Sequence, residues 1–136
     1  MKVLIDTCVI IDALQSRQPF AADAQKIFLS IANRECIGYI TAKSVTDIYY
    51  LTHRQTHSDA QTRLVLNKIF SLFDVLDTLA LDCMNAVSSQ MGDYEDAVMS
   101  ETALRNSVDY IVTRNTKDYS KSKVPVISPA DFLAML

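Results

Sequence analysis

Lys2-Val3-Leu4-Ile5-Asp6-Thr7-Cys8-Val9-Ile10-Ile11-Asp12 opens the chain, and its reading decides the fold. Val3 to Ile5 is a short apolar run without glycine or proline, and it predicts a buried strand. Asp6 closes the run, and a helix is expected to follow directly over Thr7–Leu14. A strand that is apolar on both faces and passes straight into a helix is the unit of a parallel sheet covered by helices on each side.

The same alternation continues along the chain. Pro19 restarts a helix to about Ala32, with Ala21, Ala24, Ile27, Phe28 and Ile31 on one face at helical spacing. Glu35–Ile40 predicts a second strand and Ser44–His53 a helix with Val45, Ile48, Tyr49 and Leu51 inward. Ser58-Asp59-Ala60-Gln61 resembles a helix start, and Leu64, Val65, Ile69 and Phe70 continue its apolar stripe. Phe73–Leu76 predicts a third strand and Leu81–Met91 a helix. Gly92 breaks the chain before a helix over Tyr94–Asn106. Strands over Asp109–Thr113 and Val124–Ile127 follow, and Pro129 starts a terminal helix at a first-turn position that proline tolerates. The expectation is a single α/β domain over residues 1–136, a three-layer α/β/α sandwich around a central parallel sheet of about five strands, joined by right-handed crossovers.

Composition bounds the function. At 136 residues and 49% apolar, with two glycines and three prolines, the chain can bury a core and is neither disordered nor low in complexity. No apolar stretch reaches the roughly 20 residues of a membrane span. Asp6 and Asp12 interrupt what would be the apolar part of a secretory leader. A soluble cytoplasmic protein is expected. Cys8, Cys36 and Cys83 are odd in number and form no Cys-x-x-Cys pair, so no zinc knuckle is supported. Cys8 and Cys36 are expected to be buried small hydrophobes. The net charge of −3 excludes a generally basic nucleic-acid binder, so any nucleic-acid role needs a local patch, a metal or a partner.

Acidic side chains stand at the turning points of this fold. Asp6 follows the first strand, Asp96 lies at the start of a helix, and Asn115 and Asp118 follow the fourth strand. Asp47 sits among Val45, Ile48 and Leu51, where a carboxylate near a buried helix face needs a partner. Each has a structural alternative: Asp6 as helix N-cap, Asp96 as an acidic first turn, Asp118 as a loop acid, Asp47 as a hydrogen-bonded core group. Together, carboxylates at the carboxyl ends of parallel strands form an oxygen-rich pocket suited to Mg²⁺ or Mn²⁺ and to phosphodiester hydrolysis. His53 and His57 stand four apart, but His53-Arg54-Gln55-Thr56-His57 lacks the glutamate of a zinc hydrolase motif. Surface histidines are expected there. Of Tyr49, Tyr50 and Leu51, at least two are expected in the core.

At these residues the chain resembles the PIN-domain ribonucleases, the family that includes the VapC-type toxins. The matching segments are Val3–Asp12, Thr46–Tyr50, Tyr94–Ala97 with Glu101–Ala103, and Val112–Tyr119, with Val126–Pro129 as the closing strand. The resemblance implies that Asp6 and Asp96 hold the metal and that Asp47 takes a position usually held by Glu, its shorter side chain leaving room for a water. Asn115 matches a fourth acidic position, with Asp118 the nearest compensating acid. Thr7 and Thr113 resemble the small hydroxyl residues beside the site, and Arg114 and Lys117 are placed to guide an RNA backbone. A metal-dependent endoribonuclease of a toxin–antitoxin pair is implied, with Mg²⁺ or Mn²⁺ as cofactor, RNA as substrate, an antitoxin partner and a homodimer. Two alternatives stand beside it. One is a PIN-like module that binds RNA or protein without cutting. The other is a receiver-like signalling domain, which would need a second acid where Thr7 stands and a Lys at a strand end.

Overall fold

The computed structural model describes residues 1–136. Its elements run β1 (Lys2–Ile5), α1 (Thr7–Leu14), α2 (Ala21–Ala32), β2 (Ile37–Thr41), α3 (Ala42–Thr56), α4 (Asp59–Leu72), β3 (Asp74–Leu76), α5 (Ala80–Ala86), α6 (Tyr94–Arg105), β4 (Tyr110–Val112), β5 (Val126–Ile127) and α7 (Pro129–Met135). The five strands are all parallel and lie in the order β3-β2-β1-β4-β5. The three-layer α/β/α architecture is as the sequence predicts.

Side-chain alternation along the central strands explains the layers. Val3 and Ile5 of β1, Ile40 of β2 and Val112 of β4 enter a large core with α1, α2, α3, α4 and α7. Leu4 and Ile111 point the other way, into a smaller core with Met99 and Ala103 of α6 and with Tyr119 and Val124. Gly38 sits where the second strand passes beneath Ile31 and Phe73, and a Cβ there would collide with Ile31. That glycine lets α2 and the end of α4 close on the sheet.

Helix starts follow local capping chemistry. Ser58 accepts from the Gln61 amide, Thr41 from Ser44, Asp93 from Asp96 and Ser128 from Asp131, so each satisfies an otherwise unpaired amide of its first turn. α3 ends at His57, whose left-handed backbone (φ 53°) bonds back to the His53 carbonyl.

Three expectations are corrected. The helix expected to reach Met91 stops at Ala86. On α4, Leu64 and Phe70 face solvent, while Thr62, Ile69 and the following Phe73 are buried, because the face against α2 and α3 is offset from the apolar stripe. Tyr49 and Tyr50 lie outside the cores; of that trio Leu51 alone packs against one. The histidines bind no common partner: His53 stacks on Tyr49, and His57 is the C-cap of α3. No helix is long and apolar enough to cross a membrane.

Candidate active site

The strand order changes direction once, at the β1–β4 pair: β2 and β3 extend to one side of β1, β4 and β5 to the other. Crossovers leave from that point to opposite faces, and a crevice opens beyond the strands' carboxyl ends. Asp6 is the first residue past β1 and Thr113 the first past β4, and the Asp6 amide donates to the Val112 carbonyl (3.0 Å). A cavity of about 340 Å³ opens there, lined by Asp6, Thr7, Asp47 and Asp96 together with Lys43, Tyr50, Arg54 and Glu95.

Asp6 is buried, at 8% exposure. Its Oδ1 accepts from the Thr7 amide (2.8 Å), so it does cap α1. Its Oδ2 accepts from the Thr113 hydroxyl (2.6 Å) and the Cys8 thiol (3.5 Å). Burial raises the Asp6 pKa, and these hydrogen bonds only partly offset it. Asp96 accepts from the Tyr119 hydroxyl (3.0 Å). Burial, together with repulsion from Asp6, Asp93 and Asp118, lifts its carboxyl from the ordinary 3.8 to about 6. One Asp6 oxygen thus caps the helix while the other accepts from a hydroxyl and a thiol.

Asp47 also reaches the cavity, but by a different route. It is not pressed into a buried face; its side chain is 41% exposed and paired with Lys43 Nζ (2.7 Å) one helical turn earlier. Lys43 also binds Glu95 (2.9 Å) at the start of α6, bridging two elements across the cavity. Burial works against the Lys43 charge, but the two carboxylates outweigh it and raise its pKa. Asp47 and Glu95 thus already share a cation, whereas Asp6 and Asp96 take part in no ion pair.

The residues after β4 divide. Thr113 is fully buried, its hydroxyl donating to Asp6 and accepting from the Asn115 amide (3.0 Å), so it positions Asp6 rather than presenting itself to a ligand. Arg114 turns away from the cavity: its guanidinium grips the buried Asp12 through Nε (2.5 Å) and Nη2 (3.2 Å) and lies 3.9 Å over the Phe20 ring. The Arg114 guanidinium is thereby committed to Asp12 and lines no part of this cavity. Asn115, Lys117 and Asp118 are exposed and line no part of the cavity, although Asp118 is near enough to repel Asp96.

Sequence reasoning passed over Lys43, Glu95, Asp93, Tyr119 and Cys8. Lys43 was signalled by its spacing of four from Asp47. Cys8 is half-buried beside Asp6 rather than a plain hydrophobe, with its thiol pushed up to about 11 by burial and the Asp6 charge. Tyr119 had no local signal, because only the loop's path along α6 brings it to Asp96.

The PIN domain family model matches residues 2–117. The chain belongs to the PIN-domain family. Solved structures with this PIN fold include VapBC2 from Rickettsia felis bound to a DNA fragment from its promoter, at 14% identity and TM-score 0.68, with 94% of this chain and 98% of that one covered. A toxin–antitoxin complex from Klebsiella pneumoniae gives 21% and 0.67, covering 93% and 97%. VapC20 from Mycobacterium tuberculosis, a sarcin–ricin loop cleaving toxin, gives 10% and 0.67, covering 90% and 98%. No curated protein sequence matches the chain.

The PIN cavity can be tested for a metal on its donors. No three His, Cys, Asp or Glu side chains converge into a closed cage. Two uncompensated carboxylates on one cavity are, however, the donor set of an ion that uses one or two carboxylates and keeps several waters, which is the habit of Mg²⁺. The donors are carboxylate oxygens, the kind that hard divalent cations prefer.

Proposed function

We propose that this PIN domain is a divalent-metal-dependent endoribonuclease that hydrolyses RNA phosphodiester bonds and acts as the toxin of a toxin–antitoxin pair. One observation carries the reading: two carboxylates with raised pKa, Asp6 and Asp96, line one cavity at the sheet's switch point with no arginine or lysine bound to either. Acids held at such a cost favour a cation that arrives with the ligand.

Asp6 and Asp96 would hold Mg²⁺ or Mn²⁺. When bound, such an ion supplies an activated water and offsets charge on the phosphoryl oxygens. The chain's own part is orientation. Thr113, Cys8 and the Thr7 amide fix Asp6 and Tyr119 fixes Asp96, as outer partners fix metal ligands. Asp47 keeps the Lys43 ammonium inside the cavity, where it can meet a phosphate oxygen. Asn115, Asp118 and Lys117, exposed on the loop after β4 and outside the cavity, would meet the RNA beyond the cleaved bond. The three unpaired cysteines suit a cytoplasmic setting.

Two protein partners are part of the proposal: a small antitoxin and a second copy of the chain. A basic antitoxin side chain entering this acidic cavity would compete with the metal for Asp6 and Asp96. Co-purification with the product of the neighbouring gene, and the mass of the complex in solution, test both.

The deciding experiment is cleavage of transfer, ribosomal and messenger RNA with Mg²⁺ or Mn²⁺, mapped at nucleotide resolution, beside Asp6→Asn and Asp96→Asn. Metal-dependent cuts lost in both variants are expected. Equal cleavage by the variants and the parent would refute the mechanism. One observation favours a second reading, a PIN module that binds RNA without cutting: Asp47 and Glu95 are already paired with Lys43, leaving two acids rather than four without a cation. Metal binding without cleavage of any RNA would support that reading.

A further inference from the structure

We infer that Tyr50 and Arg54, on the cavity-facing side of α3, form the subsite for a single-stranded nucleotide flanking the scissile phosphate, Tyr50 stacking on its base and Arg54 holding its phosphate. The inference rests on the ribonuclease reading and names how that site would take its substrate.

Lys43, Asp47, Tyr50 and Arg54 follow one another at spacings of four, three and four, so they form one stripe of α3. All four line the cavity that also contains Asp6 and Asp96. The stripe therefore begins among the acids and runs outward along the helix. Tyr50 is 64% exposed, a large aromatic area left in water at the rim of a polar cavity.

Its ring is nevertheless braced. Tyr49 meets it edge to face, with centroids 5.2 Å apart and planes at 88°. Tyr49 in turn stacks on His53 (5.7 Å, 15°) and donates its hydroxyl to Asp59 on α4. This chain of contacts from α4 through Tyr49 supports a ring whose remaining surface is free. A braced, exposed aromatic beside a cation is the arrangement that receives an unstacked base, since every base has a π-face and only single strands can offer one.

Arg54 supplies the charge. Arg63, Arg105 and Arg114 are committed to Asp59, Asp82 and Asp12, and Lys43 to Asp47 and Glu95. Arg54 is the cation on the cavity wall that makes no ion pair. In a cavity otherwise dominated by carboxylates, it is the group that can hold a phosphate next to the one being cut.

The test measures binding and cleavage separately. In two non-cleaving backgrounds, Asp6→Asn and Asp96→Asn, a short single-stranded RNA carrying 2-aminopurine at successive positions is titrated with protein. The expected result is fluorescence quenching at one position, kept by Tyr50→Phe and lost by Tyr50→Ala, with affinity falling about tenfold in the latter. Arg54→Met should lower the slope of log affinity against log salt by about 0.7, one phosphate contact on a single strand. The duplex of the same sequence should show neither effect. Unchanged single-strand affinity in Tyr50→Ala, equal binding of the duplex, or no binding of the single strand each overturns the inference. If only a protein partner occupies this face, the first of these is the result. Metal-dependent cleavage by the unmodified chain tests the ribonuclease reading independently: cleavage without a Tyr50 effect sinks the subsite alone, and quenching without cleavage sinks the ribonuclease alone.

Discussion

Two regions of this molecule bury aspartates and treat them in opposite ways. Between α5 and α6, Asp82 is 1% exposed and fully compensated: Arg105 grips both its oxygens (3.0 and 2.9 Å), Thr102 adds a hydroxyl (2.9 Å) and the Leu79 amide a fourth bond (3.0 Å). Burial pushes its pKa up, yet these partners more than reverse that and hold it below the ordinary value. At the switch point, Asp6 has hydroxyl, thiol and amide donors but no cation, and its pKa is raised. Asp12, held by Arg114, belongs with Asp82. The difference teaches that burial alone does not set an acid apart in this fold; what distinguishes the proposed metal acid is burial without a resident counter-charge.

The largest expected effect breaks the comparison on its functional side. Asp96→Asn should reduce metal-dependent RNA cleavage by about a hundredfold or more while leaving the fold intact. An Asp96→Asn protein with full activity in single-turnover assays would place the acid outside the chemistry.

Next in size is the structural side. Arg105→Met leaves Asp82 buried without its cation, and breaking a buried pair of this kind costs about 3 kcal/mol. Urea denaturation should show that loss with an unchanged m-value, and the double variant Arg105→Met/Asp82→Asn should recover part of it. A loss below roughly 1 kcal/mol would mean that the clasp is no stronger than a surface pair.

A smaller effect follows from pH. Below 3.8 Asp96 is protonated in both the folded and unfolded chain and contributes nothing; above about 6 it is ionised in both, and the folded state carries the whole cost. Stability therefore declines as pH rises from 3.8 to about 6. Metal-free Asp96→Asn should lack that decline and melt higher than the parent at pH 7 to 8. Protons compete for the same oxygen, so the parent's Mn²⁺ affinity, followed by calorimetry, should weaken as pH falls below about 6. Opposite trends would remove Asp96 from the metal site.

The smallest effect concerns Lys43, whose bridge to Asp47 and Glu95 is partly exposed. Lys43→Met should change stability by less than about 1 kcal/mol. If Lys43 meets substrate phosphate, the same variant should raise KM more than it lowers kcat.

Much of the architecture was legible because it depends on local pattern. The Val3–Ile5 run, the Ser58 cap and the Pro129 start all act within a few residues, and they place β1, α4 and α7 almost to the residue. α5 is the failure that proves the point: nothing between Leu81 and Met91 breaks a helix, yet it ends at Ala86, and the Val87 side chain that follows is exposed. Asp6 and Asp96 were recognisable as candidates from their positions at element ends, and Asp47 from its place among the apolar residues of α3. The partner of Arg114 was not legible, because its choice of Asp12 over an open position near the cavity depends on a contact 102 residues away.

The amino-acid order by itself determined that strands and helices alternate, that the sheet is parallel, and which acids stand at its edge, since strand periodicity, capping and turn chemistry act over a few neighbouring residues. Only the tertiary structure decided which acids keep their charge uncompensated. That depends on where each arginine and lysine lands, a long-range outcome: Arg105 reaches Asp82, Arg114 reaches Asp12, Lys43 spans Asp47 and Glu95, and nothing reaches Asp6 or Asp96.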